Sequence, residues 1–236
     1  MSAYSRYAVY VVPQGDLGAA GAAWLGWDVN SGAEVAHADG ARMDLPALTD
    51  TPRKYGFHGT VMAPFHLCEG GTEAELKSAF EQLCKHIAPV ICGDFELIAL
   101  GRFVALIPQF GGADLCRLAA QVVQGLDFWR APLPKAEFER RNRPGLSEVQ
   151  RGYLRRWGYP HVMDAYRFHM TLTGRLPKAE VEPVVRTACA YFLPVLPKQL
   201  DICDLALVGQ RPDGQFAAIA RYPLQGSLAV DLSQTS

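Results

Sequence analysis

Two of the six histidines stand in matched surroundings, and they carry the clearest chemistry in the chain. Tyr55-Gly56-Phe57-His58-Gly59-Thr60-Val61 and Tyr166-Arg167-Phe168-His169-Met170-Thr171-Leu172 share one pattern: Tyr, any residue, Phe, His, any residue, Thr, branched aliphatic. The histidines lie 111 residues apart in a chain of 236, close to half its length. Each copy couples an imidazole to a hydroxyl two positions on. In extended backbone, side chains at i and i+2 project from the same side; in a helix they diverge by about 200°. Both stretches are rich in aromatic and β-branched residues and end near Pro or Gly, which predicts strands over about 54–62 and 165–173.

Two imidazoles facing one point suit acid–base chemistry. Unperturbed histidine titrates near ~6.5, so one ring is neutral and the other protonated at working pH. The neutral ring takes a proton from an attacking water and the protonated one gives a proton to a leaving alkoxide, each role being worth on the order of 10²–10⁴-fold. Thr60 and Thr171 are suited to donate hydrogen bonds to the non-bridging oxygens of a phosphodiester, where charge builds in the transition state. The two surroundings do not distinguish base from acid. A metal centre fits these residues poorly, because zinc normally takes a further nitrogen, sulfur or carboxylate donor and no HxH or CxxC spacing accompanies them. No metal and no cofactor are therefore expected.

A phosphate also needs counter-charge. Arg6, Arg53, Lys54 and Arg167 flank the expected strands, and Arg140, Arg141 and Arg143 lie in a basic stretch; arginine can hold phosphate through two parallel hydrogen bonds. Of these, Arg53, Arg141, Arg143 and Arg167, with the hydroxyls of Tyr7, Tyr55 and Tyr166, form the candidate substrate-binding set. His37, His66 and His86 read as ordinary surface or core histidines, and His161 is left unassigned.

The elements that must position these residues are legible in outline. Arg6 to Val12 reads as a strand and Leu17 to Trp27 as a helix. Asp28 to Lys54 reads as a polar connection. Thr72 and Glu75 stand at the N-cap and N3 positions of a capping box. Phe95 to Arg102 and Phe103 to Pro108 read as a hairpin with its turn at Gly101-Arg102. Helices follow at Ala113–Trp129 and Ala179–Phe192, strands at Asp201–Gly209 and Gln215–Tyr222, the last two joined through Arg211-Pro212-Asp213-Gly214. Between them, 130–156 is dense in Arg and Pro, too long for a tight connection, and reads as a basic connection or partly helical lid. Each half thus has a helix, a histidine strand, a second helix and a hairpin. The expected architecture is α+β: one bilobed domain over 1–236 with pseudo-two-fold symmetry, two antiparallel-rich sheets facing a central cleft and helices outside.

Composition sets outer bounds. A 49% hydrophobic content is enough to bury a full core. The formal net charge of −1 gives no global footprint for long nucleic acid, so a small phosphorylated substrate is the expected partner. No apolar run of about 18 residues predicts a membrane span, and the N-terminus lacks the pattern of a secretory signal. Cys68, Cys84, Cys92, Cys116, Cys189 and Cys203 include no CxxC pair and read as buried, reduced thiols of a cytoplasmic protein. Oligomeric state is not legible.

Duplicated H-x-[ST]-x motifs at half-chain spacing resemble the two-histidine (2H) phosphoesterase superfamily, which includes LigT-type RNA cyclic phosphodiesterases. Lys54 to Thr60 with Ala63-Pro64-Phe65, Ala22-Ala23-Trp24-Leu25-Gly26, Arg156-Trp157-Gly158-Tyr159-Pro160 and Arg167 to Gly174 are similar to its uncharacterised DUF1045-type bacterial branch, associated with phosphonate-degradation operons. The resemblance covers nearly the whole chain. It implies the fold, hydrolysis without metal and the roles of His58, Thr60, His169 and Thr171. The implied substrate is a small cyclic phosphodiester, such as a phosphoribosyl cyclic phosphate from phosphonate breakdown. Two alternatives stay open: an RNA-end enzyme acting on 2′,3′-cyclic or 2′-5′ linkages, and a non-catalytic nucleotide or sugar-phosphate binding protein. Gly59 inside the first motif points to a close backbone approach, to ligand on this reading.

Overall fold

The strand Tyr7–Val11 (β1) is buried along its whole length, which is why it is apolar without interruption. A computed structural model, describing residues 3–39 and 43–227, places it inside a seven-stranded antiparallel sheet. Helix Gly15–Leu25 (α1) follows and stops at Gly26, whose φ of 76° is the left-handed conformation that ends a helix without strain. The expected connection over 28–54 is more structured than its polarity indicated. It holds a ribbon, Trp27–Asp28 (β2) with Ala33–Glu34 (β3), and a helix, Leu45–Arg53 (α2); its residues 40–42 lie outside the described residues. Asp44 caps α2 by accepting from Ala47 N, and Pro46 sits in the first turn, where it displaces no hydrogen bond. The two prolines of so short a helix concealed it.

Strand Gly59–Phe65 (β4) starts one residue after His58 and runs through Pro64, later at both ends than expected. Gly56, at φ 73°, turns the chain from α2 into the strand. Helix Glu73–Cys84 (α3) opens on the Thr72/Glu75 capping box with both reciprocal hydrogen bonds made. Val90–Cys92 (β5) precedes the hairpin of Phe95–Leu100 (β6) and Phe103–Pro108 (β7), and helix Gly112–Leu126 (α4) follows. The basic stretch is two helices, Lys135–Arg141 (α5) and Glu148–Trp157 (α6). The second histidine strand is the two residues Met170–Thr171 (β8), led in by a 3-10 turn at Met163–Ala165. Helix Lys178–Phe192 (α7), then Leu200–Ile202 (β9), Asp204–Gln210 (β10) and Phe216–Pro223 (β11), complete the fold.

The sheet order is β11-β10-β1-β4-β8-β7-β6. The two expected sheets are its wings, one of four strands and one of three. They are joined into one sheet at a single residue pair, Gly59↔Met170. The duplication is visible in the connectivity. β1-α1-β4-α3-β5-β6 and β7-α4-β8-α7-β9-β10 are equivalent runs, and exchanging them leaves the order β10-β1-β4-β8-β7-β6 unchanged. Each run hands its last strand to the other wing: β6 pairs β7, and β10 pairs β1. The equivalent strands β5 and β9 pair with each other in a separate ribbon.

Burial divides the sheet into two faces. Tyr7, Val9 and Val11 point to the main core, with Trp24 of α1, Phe80 of α3, Val122 of α4 and Phe192 of α7. Ala8, Tyr10 and Val12 point the other way, into a smaller cluster with Trp27, Val29, Val208 and Phe216. That second face carries the motif histidines.

Candidate active site

β4 and β8 lie side by side at the centre of the sheet, and each begins immediately after its histidine. Continuing the antiparallel register from Gly59↔Met170 sets His58 opposite Thr171 and Thr60 opposite His169. Residues opposite one another in such a pair share a face, and diagonal neighbours stand roughly 7–8 Å apart. The two imidazoles therefore form one diagonal of a square and the two hydroxyls the other. All four side chains line one open cleft of about 480 Å³, within the ~300–1,000 Å³ typical of small-molecule sites.

Both histidines are held the same way. His58 Nδ1 lies 2.9 Å from Gly56 O and His169 Nδ1 lies 2.9 Å from Arg167 O, the carbonyl two residues back in each case. A carbonyl only accepts, so Nδ1–H is the donor and Nε2 is left to face the cleft. His58 Nε2 is 2.9 Å from Thr60 Oγ1, which donates to it. The His58 ring also stacks on Tyr10, with centroids 3.7 Å apart and planes at 23°. Burial lowers the His58 pKa to about 4, the positive charge of His169 adding to the effect while the Gly56 carbonyl opposes it. At neutral pH His58 is the uncharged ring.

The aromatic residues of the motifs have separate uses. Phe57 and Phe168 are buried on the opposite face, Phe57 against Phe192 and Phe168 edge-on to Phe95. Gly59 has no side chain because a Cβ there would overlap the Phe168 ring, so the close approach is to the twin motif and not to ligand. Tyr55 lines the cleft, stacked on Phe216. Tyr166 does not line it: it is buried, and its hydroxyl donates to Thr60 O at 2.8 Å, tying one motif to the other. Thr173 lines the cleft while accepting from Val104 N at 3.0 Å.

The other candidates divide similarly. Tyr7 is buried on the helix side of β1, bonded to Glu73 at 3.2 Å, and is no part of the cleft. Arg53 pairs with Glu34 at 2.9 Å at the surface. Arg167 donates to the carbonyls of Asp164 and Tyr166 beside a second, mostly apolar groove that reaches His169 from the α4 side. Sequence adjacency to the motif misplaced these two: Arg53 ends helix α2 and Arg167 precedes β8, so their directions are set by Glu34 and by the Asp164 and Tyr166 carbonyls, not by strand alternation. Arg141 and Arg143 do line the cleft, with Arg6 and Arg140. Arg141 is already engaged, by Glu137 and by the Gly158 and Pro64 carbonyls, and it packs over Tyr159. Tyr10 and Tyr159 also line the cleft and are absent from the sequence-derived set. Tyr159 stood beside the basic stretch in a recognised motif. Tyr10, in an apolar strand, gave no signal of its own.

His161 stands outside the cleft, its Nδ1 3.3 Å from Gln150 Nε2. Among the described residues no three His, Cys, Asp or Glu side chains gather as a metal site would require, and no helix is long and apolar enough to cross a membrane. The six cysteines are unpaired; only Cys84 and Cys92 are fully buried, their thiols raised to about 12 chiefly by burial, and Cys203 is exposed.

A family model described as a protein of unknown function, DUF1045, matches residues 60–217, from the first motif threonine to β11. The chain belongs to the DUF1045 family. It is 33% identical over 233 residues to a Janthinobacterium sp. (strain Marseille) protein named ribose 1,5-bisphosphate phosphokinase PhnN, covering 94% of this chain and 51% of that one. A Laribacter hongkongensis (strain HLHK9) protein of the same name is 34% identical over 193 residues, covering 79% and 44%. The DUF1045 chain thus spans about half the length of the curated relatives it matches. Solved structures similar to it include a Thermus thermophilus protein (TM-score 0.46, 15% identity, 94% of this chain and all of that one). E. coli LigT complexed with NADP+ is similar at a TM-score of 0.44 and 11% identity, covering 94% and 99%.

Proposed function

We propose that this DUF1045 chain is a 2H-type phosphoesterase that opens a small cyclic phosphodiester to a monoester without a metal ion. The observation that carries the reading is the square of His58, Thr171, Thr60 and His169 around the Gly59↔Met170 pair, open to one cleft. In the free protein His58 Nε2 is unprotonated and already bonded to a hydroxyl. It is the general base. Water replaces Thr60 as its hydrogen-bond partner, loses a proton to Nε2 as its oxygen bonds to phosphorus, and the ester bond in line with it breaks. His169, carrying a proton on Nε2, gives that proton to the departing alkoxide. Thr60 and Thr171 donate to the two non-bridging oxygens, where hydrogen bonds strengthen as charge accumulates. This reading takes His58 as base and His169 as acid, a choice the sequence left open and the lowered His58 pKa supports.

Arg6, Arg140 and Arg143 in the cleft wall favour an anionic substrate. The names of the half-matched relatives refer to a ribose bisphosphate, which supports a cyclic phosphate on a ribose, including a phosphoribosyl one, as the substrate to try first. The test is incubation of purified protein with ribose cyclic phosphates and nucleoside 2′,3′-cyclic monophosphates in EDTA, following monoester formation by ³¹P NMR. Turnover of at least one is expected, with undiminished rate in chelator. No turnover on the whole panel sinks the reading, and activity that EDTA abolishes sinks its metal-free chemistry. Preference for oligonucleotide ends with a steep salt dependence would move the assignment to RNA.

A further inference from the structure

Tyr10 is a polar side chain in the cleft for which neither histidine chemistry nor packing gives its hydroxyl a use. It faces the cleft from β1, directly opposite Thr60 on β4, so Tyr10, Thr60 and His169 form a row across three neighbouring strands. Its ring is fully buried and stacked on His58. Its hydroxyl is buried too and has no hydrogen-bond partner among the described residues. Buried hydroxyls ordinarily find a partner, and one left without it calls for an explanation. Burial, with Tyr55 and Tyr159 nearby, raises the phenol pKa well above its ordinary value despite the opposing charge of Arg6, so the hydroxyl keeps its proton. It is a neutral donor in a cleft lined, among the described residues, by four arginines and no carboxylate. The acceptor it lacks in the protein is the kind of group a phosphoester brings.

We propose that Tyr10 is a substrate-contacting residue, its hydroxyl donating to an oxygen of the bound phosphoester on the Arg6 side of the cleft. The proposal rests on the phosphoesterase reading for its ligand class. A donor there adds what the His–Thr square does not provide: a contact that orients the ester before reaction. The phenyl ring and the hydroxyl have separable tasks, the ring backing His58 and the hydroxyl meeting ligand.

Tyr10→Phe tests this, because it keeps the stack and deletes only the unpartnered group. Ligand-free Tyr10→Phe is expected to melt at or above the wild-type temperature, since no protein hydrogen bond is lost. With adenosine 2′,3′-cyclic monophosphate, kcat/KM is expected to fall at least tenfold with most of the change in KM, and the acid limb of the pH profile should stay in place. Thermal protection by inorganic phosphate and by adenosine 2′-monophosphate should shift to at least tenfold higher ligand concentration. Wild-type kcat/KM and wild-type protection in Tyr10→Phe would overturn the proposal, as would a ligand-free melting point several degrees lower, which would make the hydroxyl a structural one. If neither compound protects the wild-type protein, the proposed contact is wrong. If both protect it and Tyr10→Phe loses the protection while no cyclic ester is turned over, the contact stands and the hydrolytic reading falls.

Discussion

A histidine beside a threonine is common; two such couples set corner to corner are not, and what distinguishes their members is burial. His58 is backed by Tyr10 and depressed to about 4, so above that pH it is ready to accept a proton. The acid limb of kcat/KM should accordingly fall near pH 4, and a limb near the ordinary histidine value would contradict the assignment of His58 as base. The same shift acts on stability. Unfolded His58 titrates near ~6.5 and folded His58 near 4, so between those values the unfolded chain binds more protons. Its contribution is whole above pH ~6.5 and is lost as pH falls towards 4, by about 3 kcal/mol in all. Urea unfolding of wild type and His58→Gln at pH 7 and pH 4.5 should show the variant with the shallower dependence. In turnover at neutral pH, His58→Ala and His169→Ala should each lose at least about a hundredfold while retaining cooperative unfolding. A variant that stays near wild-type activity removes its histidine from the chemistry.

At the level of elements, the join between the wings is a single pair in which one partner is glycine. Phe168 fills the space a Cβ at Gly59 would take, and Tyr166 reaches across to the Thr60 carbonyl. Gly59→Ala should therefore cost about 1–3 kcal/mol, the usual range for overpacking, and should depress activity further than stability by displacing His58 from Thr171. A normal melting temperature with normal turnover would show that the join has slack. The short helix α5 is pinned through Glu137, which meets Arg6, Arg140, Arg141 and His66. This carboxylate is largely buried beside several cations. Glu137→Gln should lower stability by about 1–3 kcal/mol and speed proteolytic cutting within residues 135–157. Unchanged cutting would mean the arginine wall of the cleft is held by packing alone.

Over the whole molecule, duplication supplies two equivalent runs, and exchange of their last strands locks them together. The site lies where this arrangement brings the histidine strand of each run to the centre. Symmetry then ends at the second-face cluster. The four-stranded wing is covered there by the β2–β3 ribbon, with Trp27 Nε1 bonded to Phe216 O at 2.8 Å. That cover packs Trp27 and Val29 in one cluster with Tyr10, the ring on which His58 stacks, and His169 instead stands against Phe103 next to the apolar groove. One repeated motif thereby yields two different environments.

Much of this was written in local pattern. The matched motifs, their same-side His and Thr, the Thr72 capping box and the hairpin at Gly101 follow from side-chain alternation and end-capping within a few residues. Helix α2 and the partnerships of Arg53, Arg167 and Tyr166 did not, because prolines masked the first and the others depend on carbonyls and carboxylates that folding brings near. The sequence by itself determined which residues the proposed chemistry falls on and that there are two sets of them. Only the tertiary structure decided that the sets lie side by side, through one residue pair, and that one imidazole is stacked on a tyrosine while its twin is not. Strand partners are chosen by which faces can be buried together across the whole sheet, and no single strand encodes that choice.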